Sequence, residues 1–267
     1  MAIATNEKIK RTFGRADRIL IGMIHLPPLL SYAGFPGMEA VTEKALSDLT
    51  ALESAGFDAV LVENDDDQPH TEFANPAQIA CLTAVTAEIC RRARVPVGVQ
   101  MMLNDWQSSF AVARVTGAQF TRLDVFVDHV TCRWCEINPD PAEIVAERDR
   151  ICPGLLLLTD IQVKYKEMIE PRPLTASAEL AVTAGSDGLI VTGPATGVET
   201  PLERLQVVRA AYPDFPLFVG AGLTEDNVRE QLTVANGAIV GTSIKCDGRV
   251  DFESAKKLRE KLKKTPG

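Results

Sequence analysis

The segment FVGAGLTEDNVREQLTVANGAIVGTSIK, Phe218–Lys245, is a strand, a glycine-bounded turn, a helix start and a second strand that ends in Gly-Thr-Ser. Its apolar runs, Leu217–Val219 and Ala238–Val240, are short and unbroken rather than alternating. That is the pattern of strands buried on both faces, as in a parallel sheet covered by helices. Six similar runs precede them: Ile19–Ile24, Ala59–Val62, Val97–Met101, Gln119–Val125, Leu155–Thr159 and Gly188–Thr192. Between the runs lie helical periodicities, clearest in Met38, Val41, Ala45, Leu49 and Leu52, whose three- and four-residue steps share one helix face.

Strand–helix alternation admits a doubly wound open sheet or a closed barrel. Eight repeats in about 250 residues fit the α/β (β/α)₈ TIM barrel best. The whole chain, 1–267, then reads as one domain, with 1–18 an N-terminal extension expected to cap the barrel bottom. Helix starts are marked by Asn75-Pro76, Asp140-Pro141 and Thr200-Pro201, an acceptor side chain before a proline at the first helical position. Thr200 and Glu203 also fit a capping box.

A net charge of −8 and a pI near 5.1 argue against a phosphate-backbone binder, so no nucleic acid is expected as a partner. No apolar stretch approaches the roughly 20 residues that cross a bilayer, and the N-terminal segment is polar, so the expectation is a cytoplasmic protein without membrane insertion. Six cysteines in 267 residues are too sparse for a disulfide scaffold. Cys132 and Cys135 have a spacing that suits zinc or redox chemistry, but a zinc site needs two more ligands and no second such pair exists.

In a (β/α)₈ barrel the chemistry sits where strands end, and the loops after strands seven and eight commonly cradle phosphate. Gly220, Gly222 and Gly241, with Thr242, supply closely approachable backbone amides at those two ends. Thr192 and Gly193, in TGPATG after strand six, add a hydroxyl and flexible backbone on the same rim; the plain alternative is a set of ordinary glycine turns. Ionisable and amide groups collect at the other ends: His25, Glu63, Asn64, Asp67, Asn104, Asp105, Arg122, Asp124, Asp160 and Lys164. Lys164 could neutralise a bound phosphate or, with a lowered pKa, act as a base or imine-forming nucleophile. Lys166, two residues on, favours the bland reading of a surface lysine, and Lys245 has the same ambiguity. Asp65, Asp66 and Asp67 are adjacent; carboxylates about 7 Å apart repel by roughly 2.4 kcal/mol at an effective dielectric of 20. At most one or two should therefore face a closed site, unless a hard cation such as Mg²⁺ relieves the repulsion.

HLPPLLSYAGFPG (His25–Gly37), VENDDDQP (Val62–Pro69), PVGVQMMLNDW (Pro96–Trp106), FTRLDVF (Phe120–Phe126), TDIQVKY (Thr159–Tyr165), VTGPATG (Val191–Gly197), VGAGLTEDNV and IVGTSIKCDG (Ile239–Gly248) resemble, in order, the blocks of the BtpA/SgcQ family. The resemblance implies a phosphate-binding TIM barrel. The family takes its name from a cyanobacterial factor needed for photosystem I biogenesis, and other members are described in sugar-related or nucleoside-triphosphatase terms. Its motifs map onto Glu63, Asn64 and Asp67, onto Asn104 and Asp105, onto Arg122, and onto Val163 and Lys164. Asp65 and Asp66 fall where the family varies and are expected to be solvated. The chain departs from the pattern at Tyr165, often histidine, and at Asp124, often asparagine.

The leading expectation is an enzyme that binds a phosphorylated sugar or related metabolite and performs isomerase- or lyase-type proton transfer. Asp67 or Asp160 would be the base, with Glu63, Asp105 and Lys164 in the catalytic ring. His25, Asn64, Asn104, Arg122, Asp124 and Lys245 would bind substrate. No cofactor is evident, although Mg²⁺ fits the acidic set, and a homo-oligomer is compatible with the sequence. The alternatives are a non-catalytic assembly or regulatory factor and a metal-assisted phosphate-ester or nucleotide hydrolase.

Overall fold

The computed structural model describes residues 2–263; Met1 and residues 264–267 lie outside the described residues. Eight parallel strands form the barrel: β1 (Ile19–His25), β2 (Ala59–Glu63), β3 (Val97–Gln100), β4 (Phe120–Leu123), β5 (Leu156–Ile161), β6 (Gly188–Val191), β7 (Leu217–Val219) and β8 (Gly237–Val240). They close in the order β1-β8-β7-β6-β5-β4-β3-β2, with Ile19 of β1 beside Gly237 of β8.

Period-two alternation divides each strand between two environments. Ile19, Ile21, Leu61, Phe120, Leu158 and Phe218 belong to the cluster inside the barrel. The intervening Leu20, Val60, Val99, Leu157, Leu189 and Val240 join the layer beneath the helices. Fully burying such a side chain stabilises the fold by about 1.5–3 kcal/mol.

Helix α1 (Ala2–Phe13) closes the N-terminal end of the barrel. Its Phe13 ring lies 5.2 Å from that of Phe120 and 6.4 Å from that of Phe218, within the interior cluster. Lys8 clamps it from the rim, bonding Leu155 O at 3.0 Å and Asp187 at 2.5 Å. With that end filled, the barrel interior opens toward its C-terminal mouth.

The outer helices are α2 (Met38–Ala55), α3 (Pro76–Arg92), α4 (Trp106–Thr116), α5 (Pro141–Ile151), α6 (Leu174–Ala184), α7 (Leu202–Ala211), α8 (Val228–Val234) and α9 (Phe252–Lys263). Asn75 caps α3 in a complete capping box with Gln78, and Asp140 caps α5 through the amides of Ala142 and Glu143. Thr200 does not cap α7. The helix starts one residue later than the motif suggests, at Leu202, and the Thr200 hydroxyl instead donates to Ala221 O at 3.0 Å, tying the loop after β6 to the loop after β7.

The long connection after β4 builds a feature that periodicity does not announce. Val130–Thr131, Glu136–Ile137 and Glu167–Met168 form a small antiparallel sheet that joins this connection to the loop after β5. Leu103, Val125, Val130, Ile137 and Val163 give it a separate core. The result is a rooted flap beside the mouth. No helix among the described residues is long and apolar enough to cross a membrane.

Candidate active site

A cavity of about 700 Å³ occupies the C-terminal mouth and takes lining from all eight strand ends or the loops beyond them. Its floor follows from strand parity: His25, Glu63 and Gln100 are register partners on β1, β2 and β3, one step above the apolar interior. Arg122 and Asp160 occupy the matching inward positions of β4 and β5.

Arg122 grips Asp160 in a fork, Nε to Oδ1 and a terminal nitrogen to Oδ2, both at 2.8 Å. Burial disfavours the guanidinium charge, but Asp160 and then Asp124 outweigh it, so the arginine pKa is raised and the pair stays ionic. Asp124 accepts from Gln100 Nε2 at 3.0 Å and from Lys166 Nζ at 2.8 Å. Burial pushes its pKa up, yet Lys166 and Arg122 more than reverse this and hold the carboxyl well below the usual range. The departure to aspartate at 124 thus has a partner, Lys166, which is a buried ion-pair lysine and not a surface one.

Glu63 is treated differently. Burial, followed by the nearby Asp65 charge, raises its carboxyl from 4.5 to about 8. His25 Nε2 lies 3.4 Å from Glu63 Oε2, and His25 Nδ1 lies 3.5 Å from Asp65 Oδ2. Burial and then the Lys245 and Lys44 charges lower the imidazole pKa well below its ordinary value. The three side chains make a chain from the floor to a half-exposed carboxylate at the rim, with a neutral acid and a neutral imidazole at neutral pH.

Lys164 completes the floor. Its backbone N–H donates to Thr192 Oγ1 at 3.0 Å, and its side chain lines the cavity. Among the described residues no carboxylate lies within ion-pair distance of its ammonium. Burial first, and Arg122 second, lower its pKa, while Asp124, Asp160 and Glu63 act in the opposite sense. An amine with these properties can hold an anion or form an imine.

Several candidates lie elsewhere. Asp67 is fully buried and accepts from Leu29 N at 2.7 Å, Asn64 Nδ2 at 2.9 Å and Gln78 Nε2 at 2.8 Å. Outside the cavity lining and with three donors on its carboxylate, it braces the loop after β1 to α3. Asn64 completes that brace by accepting from Met102 N at 2.8 Å. Asn104 bonds both backbone groups of Val125 at 3.0 Å, and Asp105 caps α4 through Ser108. Asp160 lies outside the lining, with both carboxylate oxygens bonded to Arg122. Lys245 lies outside the lining; its Nζ is buried without a hydrogen-bond partner, and burial and Lys44 push its pKa down to about 8. Asp65, expected to be merely solvated, is the member of the run that faces the cavity.

On the opposite rim, Gly220, Gly222, Gly241 and Thr242 line the cavity, whereas Thr192 and Gly193 do not. A Cβ at Gly193 would meet Glu199 O at 2.5 Å, and one at Gly222, whose φ is +69°, would meet Val198 O at 2.2 Å. Gly193 lets loop six fold back on itself, and Gly222 lets loop seven pack against it. The amides that open the 3₁₀ turn Thr242–Ile244 have no partner within that turn. Tyr165, in place of histidine, reaches loop six, where its hydroxyl accepts from Thr196 N at 2.7 Å. Cys132 and Cys135 are free thiols, and Cys132 lines the flap side of the cavity.

Three contributors were missed in the sequence: Gln100, Lys166 and the flap residues Cys132–Trp134. Parity carried a signal for Gln100, which shares its face with Gly98; Lys166 follows a turn in which Tyr165 has φ +62°, so alternation did not announce it. The flap had no such signal, because its strands are two residues long.

Fold and site together define a (β/α)₈-barrel protein with an ionisable cavity at the C-terminal mouth. The chain belongs to the BtpA family, whose model matches residues 16–264. It is 32% identical over 235 residues to the photosystem I biogenesis protein BtpA of Synechocystis sp. (strain ATCC 27184 / PCC 6803 / Kazusa), covering 87% of this chain and 82% of that one. It is 29% identical over 245 residues to the sgc region protein SgcQ of Escherichia coli (strain K12), covering 90% of each. Among solved structures, N-(5′-phosphoribosyl)anthranilate isomerase from Pyrococcus furiosus superposes with a TM-score of 0.60 at 14% identity, covering 92% of this chain and 98% of that one. That last likeness concerns the fold alone.

Proposed function

We propose that the protein is an enzyme acting on a phosphorylated small molecule, a sugar phosphate or related metabolite, by isomerase- or lyase-type proton transfer. The observation that carries this reading is one cavity in which Glu63 and Lys164 lie on the floor and the loops after β7 and β8 form the rim. A carboxyl pushed up to about 8 is matched to proton transfer in either direction. Glu63 exchanges the proton with the substrate, and His25 relays it to Asp65 at the rim. Lys164 stabilises the oxyanion that develops on the substrate carbonyl. As a neutral amine it would instead attack that carbonyl and form an imine with loss of water. Gly220, Gly222, Gly241 and Thr242 hold the phosphate.

The test is turnover of a panel of phosphorylated aldoses, ketoses and keto acids by wild type and Glu63→Gln, with borohydride trapping at Lys164 read by mass spectrometry. Blank results from both assays, in protein that phosphate stabilises in a thermal-shift assay, would sink the enzyme reading. They would leave an assembly or regulatory factor with an anion pocket, the reading that the name of the Synechocystis relative favours. A Mg²⁺-assisted hydrolase has less support: among the described residues no group of three His, Cys, Asp or Glu side chains is placed to hold a metal ion. Loss of activity on chelation would revive it.

A further inference from the structure

We propose that the ligand is bipartite: a phosphate monoester on a hydroxylated carbon skeleton, joined to a planar, largely apolar group that rests against Trp134. This rests on the reading of the mouth as a phosphate site, and it adds the class of the group at the other end.

Topology supplies the first argument. In the closed order of eight strands, β3 and β4 stand diametrically across from β7 and β8. Strands spaced by about 4.8 Å and tilted by about 36° make a barrel roughly 15 Å across, backbone to backbone. A phosphate held at one rim therefore leaves its ester partner to cross the floor toward the other.

The two rims differ in chemistry. Around β7 and β8 the cavity is lined by small and hydroxyl-bearing residues, among them Gly220, Gly222, Thr224, Thr242 and Ser243. On the far side it is lined by Met102, Leu103, His70, Cys132 and Trp134. Arg122, Asp124 and Arg133 line the cavity beside them, but a bare sugar phosphate would leave the apolar part of that wall, Met102, Leu103 and Trp134, uncovered. The Trp134 ring is held in place there: the Arg133 guanidinium lies 3.8 Å from its centroid, and the His70 ring meets it edge-on at 6.0 Å and 87°. The flap that carries Trp134 is anchored by its own core and by pairing with Glu167–Met168, just beyond Lys164 and Lys166. A preorganised aromatic wall of this kind favours a flat, apolar partner.

Inorganic phosphate and two matched probes, methyl and phenyl β-D-ribofuranoside 5-phosphate, separate the claims by calorimetry. The expected result is that phosphate competes with both probes and that the phenyl compound binds at least tenfold more tightly than the methyl one. Trp134→Ala should bring the two within twofold of each other and leave phosphate affinity unchanged. The phenyl probe should also quench the Trp134 fluorescence of wild-type protein, a readout that needs no variant, since the second tryptophan, Trp106, is buried at the start of α4. Equal affinities with phosphate still competing would overturn the bipartite ligand and leave the phosphate site standing. If neither phosphate nor either probe binds, both readings fall together.

Discussion

Two polar networks start within five residues of each other at the end of β2, and they are built in opposite ways. Around Asp67 every acceptor meets a donor: three N–H groups converge on one buried carboxylate, and Asn64 carries the network on to Met102. Around Glu63 the partners are sparse and distant, with His25 at 3.4 Å and Lys164 without an ion pair. A saturated network is rigid and chemically inert, because its groups have no capacity left for a substrate. An unsaturated one costs stability and retains reactivity. The family motif includes residues of both kinds, so motif membership alone does not separate brace from site.

The sharpest way to break the contrast is Glu63→Gln. On the catalytic side it should lower kcat by about 10²–10⁴, the usual weight of a general acid or base, with the fold intact. Its pH signature sets it apart from a brace. Because the folded pKa of Glu63 is raised, the stability it contributes is full below pH 4.5 and is lost as pH rises to about 8. Chemical denaturation across that window should show a decline in wild type that is reduced in Glu63→Gln.

Asp67→Ala should do the reverse. Three stranded donors cost about 3 kcal/mol, on the order of 10 °C in melting temperature, while the protein that remains folded keeps its kcat. Lys164→Met should weaken phosphate binding about tenfold, or roughly 1.4 kcal/mol, and leave thermal stability unchanged or slightly higher, since it removes an unpaired buried cation. The smallest effect is expected at Asp65→Asn. With a side chain 43% exposed, Asp65 should tune the pH profile of turnover, shifting its acid limb, without a measurable change in melting temperature.

Much of the fold was legible in the chain. Eight short, largely apolar runs and their helical spacers specify a covered parallel sheet, and the proline-marked starts of α3 and α5 are local enough to be read directly. Thr200 shows the limit of local reading. It has the composition of a cap, but the backbone of loop seven offered its hydroxyl a buried carbonyl, and tertiary contact won. In the site, His25, Glu63, Arg122, Asp124 and Lys164 were visible as polar residues at strand ends. Asp65 and Asp67 exchanged roles because direction within a loop depends on which donors the neighbouring loops bring.

The sequence by itself determined the repeating strand–helix pattern and the polar ring at the strand ends, since each depends on residues near one another in the chain. The tertiary structure alone decided which of those polar groups are saturated. A carboxylate becomes inert or reactive according to how many donors reach it, and those donors come from other loops, helices and strands: Leu29 and Gln78 for Asp67, Gln100 and Lys166 for Asp124, and for Glu63 a neighbouring imidazole.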